Sequence, residues 1–182
     1  DVLTGTLADG SAFAFHNSAS FPEADRLTDV NLSRVALPSL NVSPFIVDTE
    51  FPDRPSGLRR GQSLTLREGG GLGVNFQVTG ATLHVEGGHI GDGAEAVDSI
   101  VTISGGIVGD RFSAIAGSTI NITGGTVGNS ADVYAGSVMN IYGGSVGGSL
   151  DAYSGSEVNI SGGSVSGSAK ARDGSVINLR GG

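Results

Sequence analysis

Residues 117–128 read GSTINITGGTVG, and the same order of residue types returns in residues 136–147 as GSVMNIYGGSVG and in residues 155–166 as GSEVNISGGSVS. Successive glycine pairs are 18 or 19 residues apart; Gly87 follows Gly69 by 18 residues and Gly124 follows Gly105 by 19. A fixed period of this length indicates an array of one repeated supersecondary unit. The pairs are Gly69-Gly70, Gly87-Gly88, Gly105-Gly106, Gly124-Gly125, Gly143-Gly144, Gly162-Gly163 and Gly181-Gly182.

Apolar residues inside the unit alternate as in strands, not as in helices. Two of them, spaced two apart, precede six of the seven glycine pairs: Leu83/Val85, Val101/Ile103, Ile120/Ile122, Met139/Ile141, Val158/Ile160 and Ile177/Leu179. One β-branched residue follows the glycines, as Val127 does, and a third segment such as Ala131–Val133 alternates again. This pattern predicts an all-β fold, a parallel β-helix (solenoid) with three short strands in each coil of 18–19 residues.

Coils of this kind must stack, because a single coil cannot bury its inward row. The inward residues do not recur every six positions, as they do in left-handed hexapeptide solenoids. The sequence therefore predicts a right-handed coil.

The period covers residues 61–182 and is absent from residues 1–60. In the first segment, Leu3–Leu7 and Phe13–Phe15 are alternately apolar and flank Asp9-Gly10, which indicates either a hairpin or two strands of a larger coil. We interpret residues 1–60 as an irregular β region that continues or caps the solenoid, and residues 61–182 as the β-helix repeats.

Composition narrows the function classes. The 182 residues include 32 glycines, 5 prolines and no cysteine, with 18 acidic and 10 basic side chains for a net charge of −8. Collagen, disulfide scaffolds and thiolate metal sites are excluded, and the acidity argues against nucleic acid as a partner. There is no apolar run long enough to insert into a membrane.

Catalytic and metal-binding patterns are absent from the sequence. Of the three histidines, His84 takes a slot that asparagine fills in later coils, and His89 follows a glycine turn. Together with Glu86 they supply too few well-spaced ligands for zinc. We therefore expect no enzymatic activity, no metal centre and no cofactor.

Two outward columns on the third strand carry the most chemistry. One column contains Asp132, Asp151 and Lys170, and its neighbour contains Tyr134, Tyr153 and Arg172. Stacked carboxylates repel, so we expect relief from Lys170, from a cation such as calcium held by Asp132 and Asp151, or from another subunit. Aromatic rings beside carboxylates are typical of a carbohydrate or partner face, and the alternative is a solvated face that only supports the sheet.

The motif Asn-Ile-x-Gly-Gly-x-Val-Gly, repeated across residues 61–182, resembles the Gly-Gly repeat regions of right-handed parallel β-helices in large secreted bacterial surface proteins of the adhesin type. The resemblance implies an extracellular or cell-surface structural or adhesive module. Because the same scaffold also carries polysaccharide lyases and hydrolases, a carbohydrate-binding or carbohydrate-degrading β-helix is the alternative.

The two ends of the sequence predict assembly. Residues Gly181-Gly182 followed by Asp1-Val2 match Gly162–Val165 in phase, and Leu179 belongs to an inward row with no further coil in the sequence. We expect copies of the chain to stack end to end, covalently or non-covalently, as a tandem array or filament.

Overall fold

The computed structural model describes residues 2–6, 12–16, 44–49 and 55–181. Within them every regular element is a β-strand, and no helix is long and apolar enough to cross a membrane. The chain divides into two compact units, residues 1–39 and residues 40–182.

The described part of the first unit is an antiparallel hairpin. Val2–Thr6 pairs with Ala12–His16, with Val2 opposite His16 and Thr6 opposite Ala12. Of the two arrangements that the sequence left open, the hairpin is the one observed.

The second unit is a parallel β-solenoid with three strands in each coil, as predicted. Its described strands form three sheets, which we call sheets I, II and III. Sheet I comprises Phe45–Val47, Ser63–Leu66, Thr82–Val85, Ile100–Ile103, Thr119–Ile122, Val138–Ile141, Glu157–Ile160 and Val176–Leu179. Sheet II comprises Gly71–Leu72, His89–Ile90, Ile107–Val108, Thr126–Val127, Ser145–Val146 and Ser164–Val165. Sheet III comprises Gly57–Leu58, Gln77–Thr79, Glu95–Val97, Phe112–Ile115, Ala131–Val133, Leu150–Ala152 and Ala169–Ala171.

The solenoid begins before the first glycine pair. Phe45–Val47 pairs in parallel with Leu64–Leu66, and Gly57–Leu58 pairs with Gln77–Val78. Both strands lie in the segment that we interpreted as an irregular continuation or cap, and both take part in the regular sheets.

The predicted inward rows form one continuous core. Every member of these rows from Leu83 to Ile160 in sheet I is buried, and Ile120, Met139 and Ile141 have no exposed surface. The last coil differs, because Ile177 is only partly buried and Leu179 is 71% exposed. The inward assignment is therefore confirmed, and the core ends where the described coils end.

An amide ladder runs along the outside of sheet I. The side-chain amide of Asn140 donates to Asn121 Oδ1 at 2.9 Å, Asn159 donates to Asn140 at 3.0 Å, and Asn178 donates to Asn159 at 2.8 Å. Each asparagine both donates and accepts in the middle of the row. The ladder thus ties the coils together outside the core.

A pair of neighbouring substitutions tests the inward and outward faces. Ile141→Asp places a charge in the fully buried core and should lower the free energy of unfolding by about 4 kcal/mol. Asn140→Asp changes an outward residue and removes one donated hydrogen bond, so the loss should be about 1 kcal/mol. Urea denaturation of both variants measures the difference, and equal losses would contradict the assignment.

Candidate functional site

Sheet III brings the candidate residues together through its register. Asp132 is the backbone partner of Asp151, and Asp151 is the partner of Lys170. Parallel strands without a shift place equivalent side chains directly over one another. The two columns predicted from the sequence are therefore present, with Tyr134, Tyr153 and Arg172 one position beyond the strand ends.

The two tyrosines stack on each other. The ring centroids of Tyr134 and Tyr153 are 4.6 Å apart and the ring planes differ by 9°. The guanidinium carbon of Arg172 lies 4.6 Å from the Tyr153 centroid, from the following coil. Both faces of the Tyr153 ring are therefore occupied by neighbours of its own chain, in a stacking and a cation–π contact.

Arg172 also neutralises Asp151. Its Nη2 donates to Asp151 Oδ1 at 3.1 Å, and the Asp151 side chain is 11% exposed while that of Arg172 is 52% exposed. Lys170, which we considered as the counter-charge, forms no ion pair with any described residue although it follows Asp151 in the column. The ion-pair partner of Asp151 is thus Arg172 of the neighbouring column, because the longer arginine side chain with its planar guanidinium reaches back to the preceding coil.

Asp132 forms no ion pair with any residue that the structure describes. Partial burial, and then the negative charge of Asp151, raise the pKa of the Asp132 carboxyl, and the positive charge of Arg172 only partly offsets them. Burial and then the charge of Asp132 raise the pKa of the Tyr134 phenol to about 12. The fold therefore disfavours the ionised form of Asp132, and the Tyr134 phenol in the neighbouring column keeps its proton at neutral pH.

The metal hypotheses gain no support from this geometry. In residues 44–49 and 55–181 no group of three or more histidine, aspartate or glutamate side chains could hold a metal ion. Asp132 and Asp151 are two carboxylates, of which one is already bound by Arg172. A calcium ion needs six or more oxygen ligands, so the pair alone is far short of a site. His84 and His89 lie on neighbouring sheets outside any such cluster.

A turn ladder was missed in the sequence. Asp92 Oδ1 accepts from the backbone N–H of Asp110 at 3.0 Å, and Asp110 Oδ1 accepts from the backbone N–H of Asn129 at 2.8 Å. The second bond is the main reason that the pKa of Asp110 is lowered. The signal was the constant offset of Asp92, Asp110 and Asn129 after Gly91, Gly109 and Gly128.

The third tyrosine was not singled out either. Tyr142 is 56% exposed and lies outside the stack, just after the sheet I strand Val138–Ile141. Its position before a glycine pair corresponds to small residues, Thr123 and Ser161, in the adjoining coils.

The residues of the predicted assembly are only partly described. Asp1 and Gly182 lie outside the described residues, and Gly181 is exposed beside Leu179. Val2 lies in the antiparallel hairpin strand Val2–Thr6. The phase match between the two ends therefore pairs a parallel-coil position with a residue that belongs to a hairpin.

No family model, curated protein or solved structure matches the chain.

The raised pKa of Asp132 predicts a pH-dependent stability difference. Since the pKa in the fold lies above its usual 3.8, the ionised group destabilises the fold at neutral pH, and this penalty disappears as the pH falls through the raised pKa. Asp132→Asn should raise the melting temperature at pH 7 by about 1–3 °C. The gain should vanish near pH 3.

Asp110→Ala is the control and should have the opposite effect, a lower melting temperature at pH 7. Its lowered pKa means that the carboxylate stabilises the fold above about pH 3.8 and that this contribution is lost as the pH falls through the lowered value. Thermal melts of both variants from pH 3 to pH 7 measure these differences. A lower melting temperature for Asp132→Asn at pH 7 would contradict the repulsion in the column.

Proposed function

We propose that the chain is a structural or adhesive module of an extracellular or cell-surface protein. The observation that carries the proposal is that the aromatic and charged side chains of the two outward columns of sheet III contact each other. Tyr153 is enclosed between Tyr134 and Arg172, and Arg172 is bound to Asp151. Such contacts between coils stabilise a rod and leave few polar groups to act on a bound substrate.

The regular exterior supports the same proposal. The amide ladder, the turn ladder and the tyrosine stack all run parallel to the solenoid axis and join consecutive coils. A surface that repeats coil after coil offers many equivalent contacts to a partner. The resemblance of the Gly-Gly motif to secreted adhesin-type β-helices points in the same direction.

Carbohydrate binding is the second candidate function, at Tyr142 instead of the predicted face of Tyr134 and Tyr153. Sugars stack on aromatic faces, and both faces of Tyr153 are covered. Tyr142 is 56% exposed, has small neighbours in its column and follows Asn140 of the amide ladder by two residues. If the module binds glycans, we expect Tyr142 to supply the aromatic contact.

An oligosaccharide array and incubation with acidic polysaccharides test these alternatives together. We expect no product from any polysaccharide. A glycan that binds should lose about tenfold affinity on Tyr142→Ala and keep its affinity on Tyr153→Ala. Product formation that disappears with Tyr153→Ala or Asp132→Asn would contradict the structural role and favour a degrading enzyme.

We also propose that copies of the chain associate through the last described coil. In that coil Val176–Leu179 pairs with Glu157–Ile160 and, among the described strands, with no other, and the row of Val165, Ile177 and Leu179 is partly exposed. The same kind of row and backbone is covered at each interior coil. Open strand edges with apolar rows are templates for further pairing.

Two exposed apolar residues allow a matched test of association. Leu179 is 71% exposed in the last described coil, and Val74 is 69% exposed in the corner that follows the strand Gly71–Leu72. Leu179→Asp should weaken self-association at least about tenfold because it charges the apolar row, whereas Val74→Asp should leave it unchanged. Sedimentation velocity over a concentration series measures this. A wild-type chain that stays monomeric throughout would contradict the association.

A further inference from the structure

Tyr134 and Tyr153 are held face to face by the backbone pairing of consecutive coils. Ala131, Asp132 and Val133 pair in register with Leu150, Asp151 and Ala152, and the tyrosines follow directly. Their centroids are 4.6 Å apart with ring planes 9° from parallel. Arg172 covers the far face of Tyr153, so that a tyrosine of another molecule has no access to that face.

We propose that Tyr134 and Tyr153 are a site of oxidative coupling, at which a dityrosine bond joins two consecutive coils covalently. The co-reactant is a one-electron oxidant of the peroxidase and hydrogen peroxide class. This site goes beyond the structural or adhesive function and does not depend on it.

The reaction balances with one peroxide for each link. Each phenol gives up one electron to the oxidant and its hydroxyl proton to solvent, which leaves two phenoxyl radicals. A carbon–carbon bond forms between ring carbons next to the hydroxyls, and the hydrogen on each of these carbons moves to its phenol oxygen. Hydrogen peroxide takes up the two electrons and two protons and becomes two molecules of water.

The pair has the geometry that favours coupling within one chain. Two reactants fixed in contact react far faster than two that must meet by diffusion, and effective concentrations in well-oriented pairs reach about 10⁵ M. Both rings are only partly buried, so an oxidant in solution can reach them, and they already contact each other face to face. The chain contains no cysteine, and a tyrosine link would fasten adjacent coils where a disulfide is impossible.

The link should stabilise the solenoid. It would join residues that are 19 positions apart in sequence and would remove conformational freedom from the unfolded chain, as a disulfide does. We therefore expect the coupled chain to melt at least about 3 °C above the untreated chain.

The chain's three tyrosines make the test direct. The purified chain, at low micromolar concentration, is treated with a haem peroxidase and hydrogen peroxide, and the monomer is separated from dimers. Dityrosine fluorescence, the loss of two hydrogens from the monomer mass and a cross-linked peptide containing Tyr134 and Tyr153 measure the product. Tyr142→Phe should keep the monomer yield within about twofold, whereas Tyr134→Phe and Tyr153→Phe should each lower it at least about tenfold.

Folding is controlled in the same experiment. Circular dichroism melts show whether the phenylalanine variants keep the solenoid, and wild-type chain treated in urea should lose most of its monomer product because the stack is gone. The proposal is overturned if Tyr134→Phe forms as much monomer dityrosine as wild type, or if urea leaves the yield unchanged. It is also overturned if only dimers linked through Tyr142 appear, or if the monomer mass is unchanged while a free tyrosine derivative in the same tube is coupled.

Discussion

The close stacking of one coil on the next at the glycine corner is the constraint on which the rest of the structure depends. At Gly125 the backbone has φ +73°, and a Cβ there would lie 2.7 Å from the carbonyl oxygen of Gly105 in the preceding coil. A side chain at this position would both strain the backbone and push the coils apart. Because the corner is bare, the strands on either side approach closely enough for parallel pairing, and the apolar rows close into one core.

Unshifted pairing then determines what the outer surface contains. Each outward side chain lies between the side chains at the same position of the preceding and following coils. A residue that can bond to its own kind can therefore form a ladder, whereas a charged residue lies next to a like charge. Asparagines benefit, since an amide both donates and accepts. Aspartates do not benefit, and the column of Asp132 and Asp151 is tolerated because Arg172 supplies an ion pair and covers the tyrosine stack.

The period predicted the sheets, the inward rows and the two columns of sheet III, because all of them follow from which residues recur at 18 or 19 positions. The period does not predict which long side chain forms an ion pair. Lys170 lies in the same column as Asp151, yet Arg172 from the neighbouring column binds the Asp151 carboxylate. The coil at Phe45–Val47 was missed because it keeps the apolar alternation, 19 residues before Leu64–Leu66, without a glycine pair. The turn ladder of Asp92 and Asp110 was missed because its bonds go to backbone N–H groups. The right-handedness of the solenoid stays a prediction.

The charges are distributed unevenly along the axis, and this has a consequence for contacts between coils. Of the five basic residues in 61–182, three lie in the last described coil, at Lys170, Arg172 and Arg180, whereas nine of the ten acidic residues precede it. Arg172 already shows what a basic residue does in this position, since it ends a column of carboxylates by binding the coil before it. Lys170 and Arg180 are exposed in the same coil and have no such partner among the described residues. In the association proposed above, these two positive charges would attract carboxylates of the neighbouring copy.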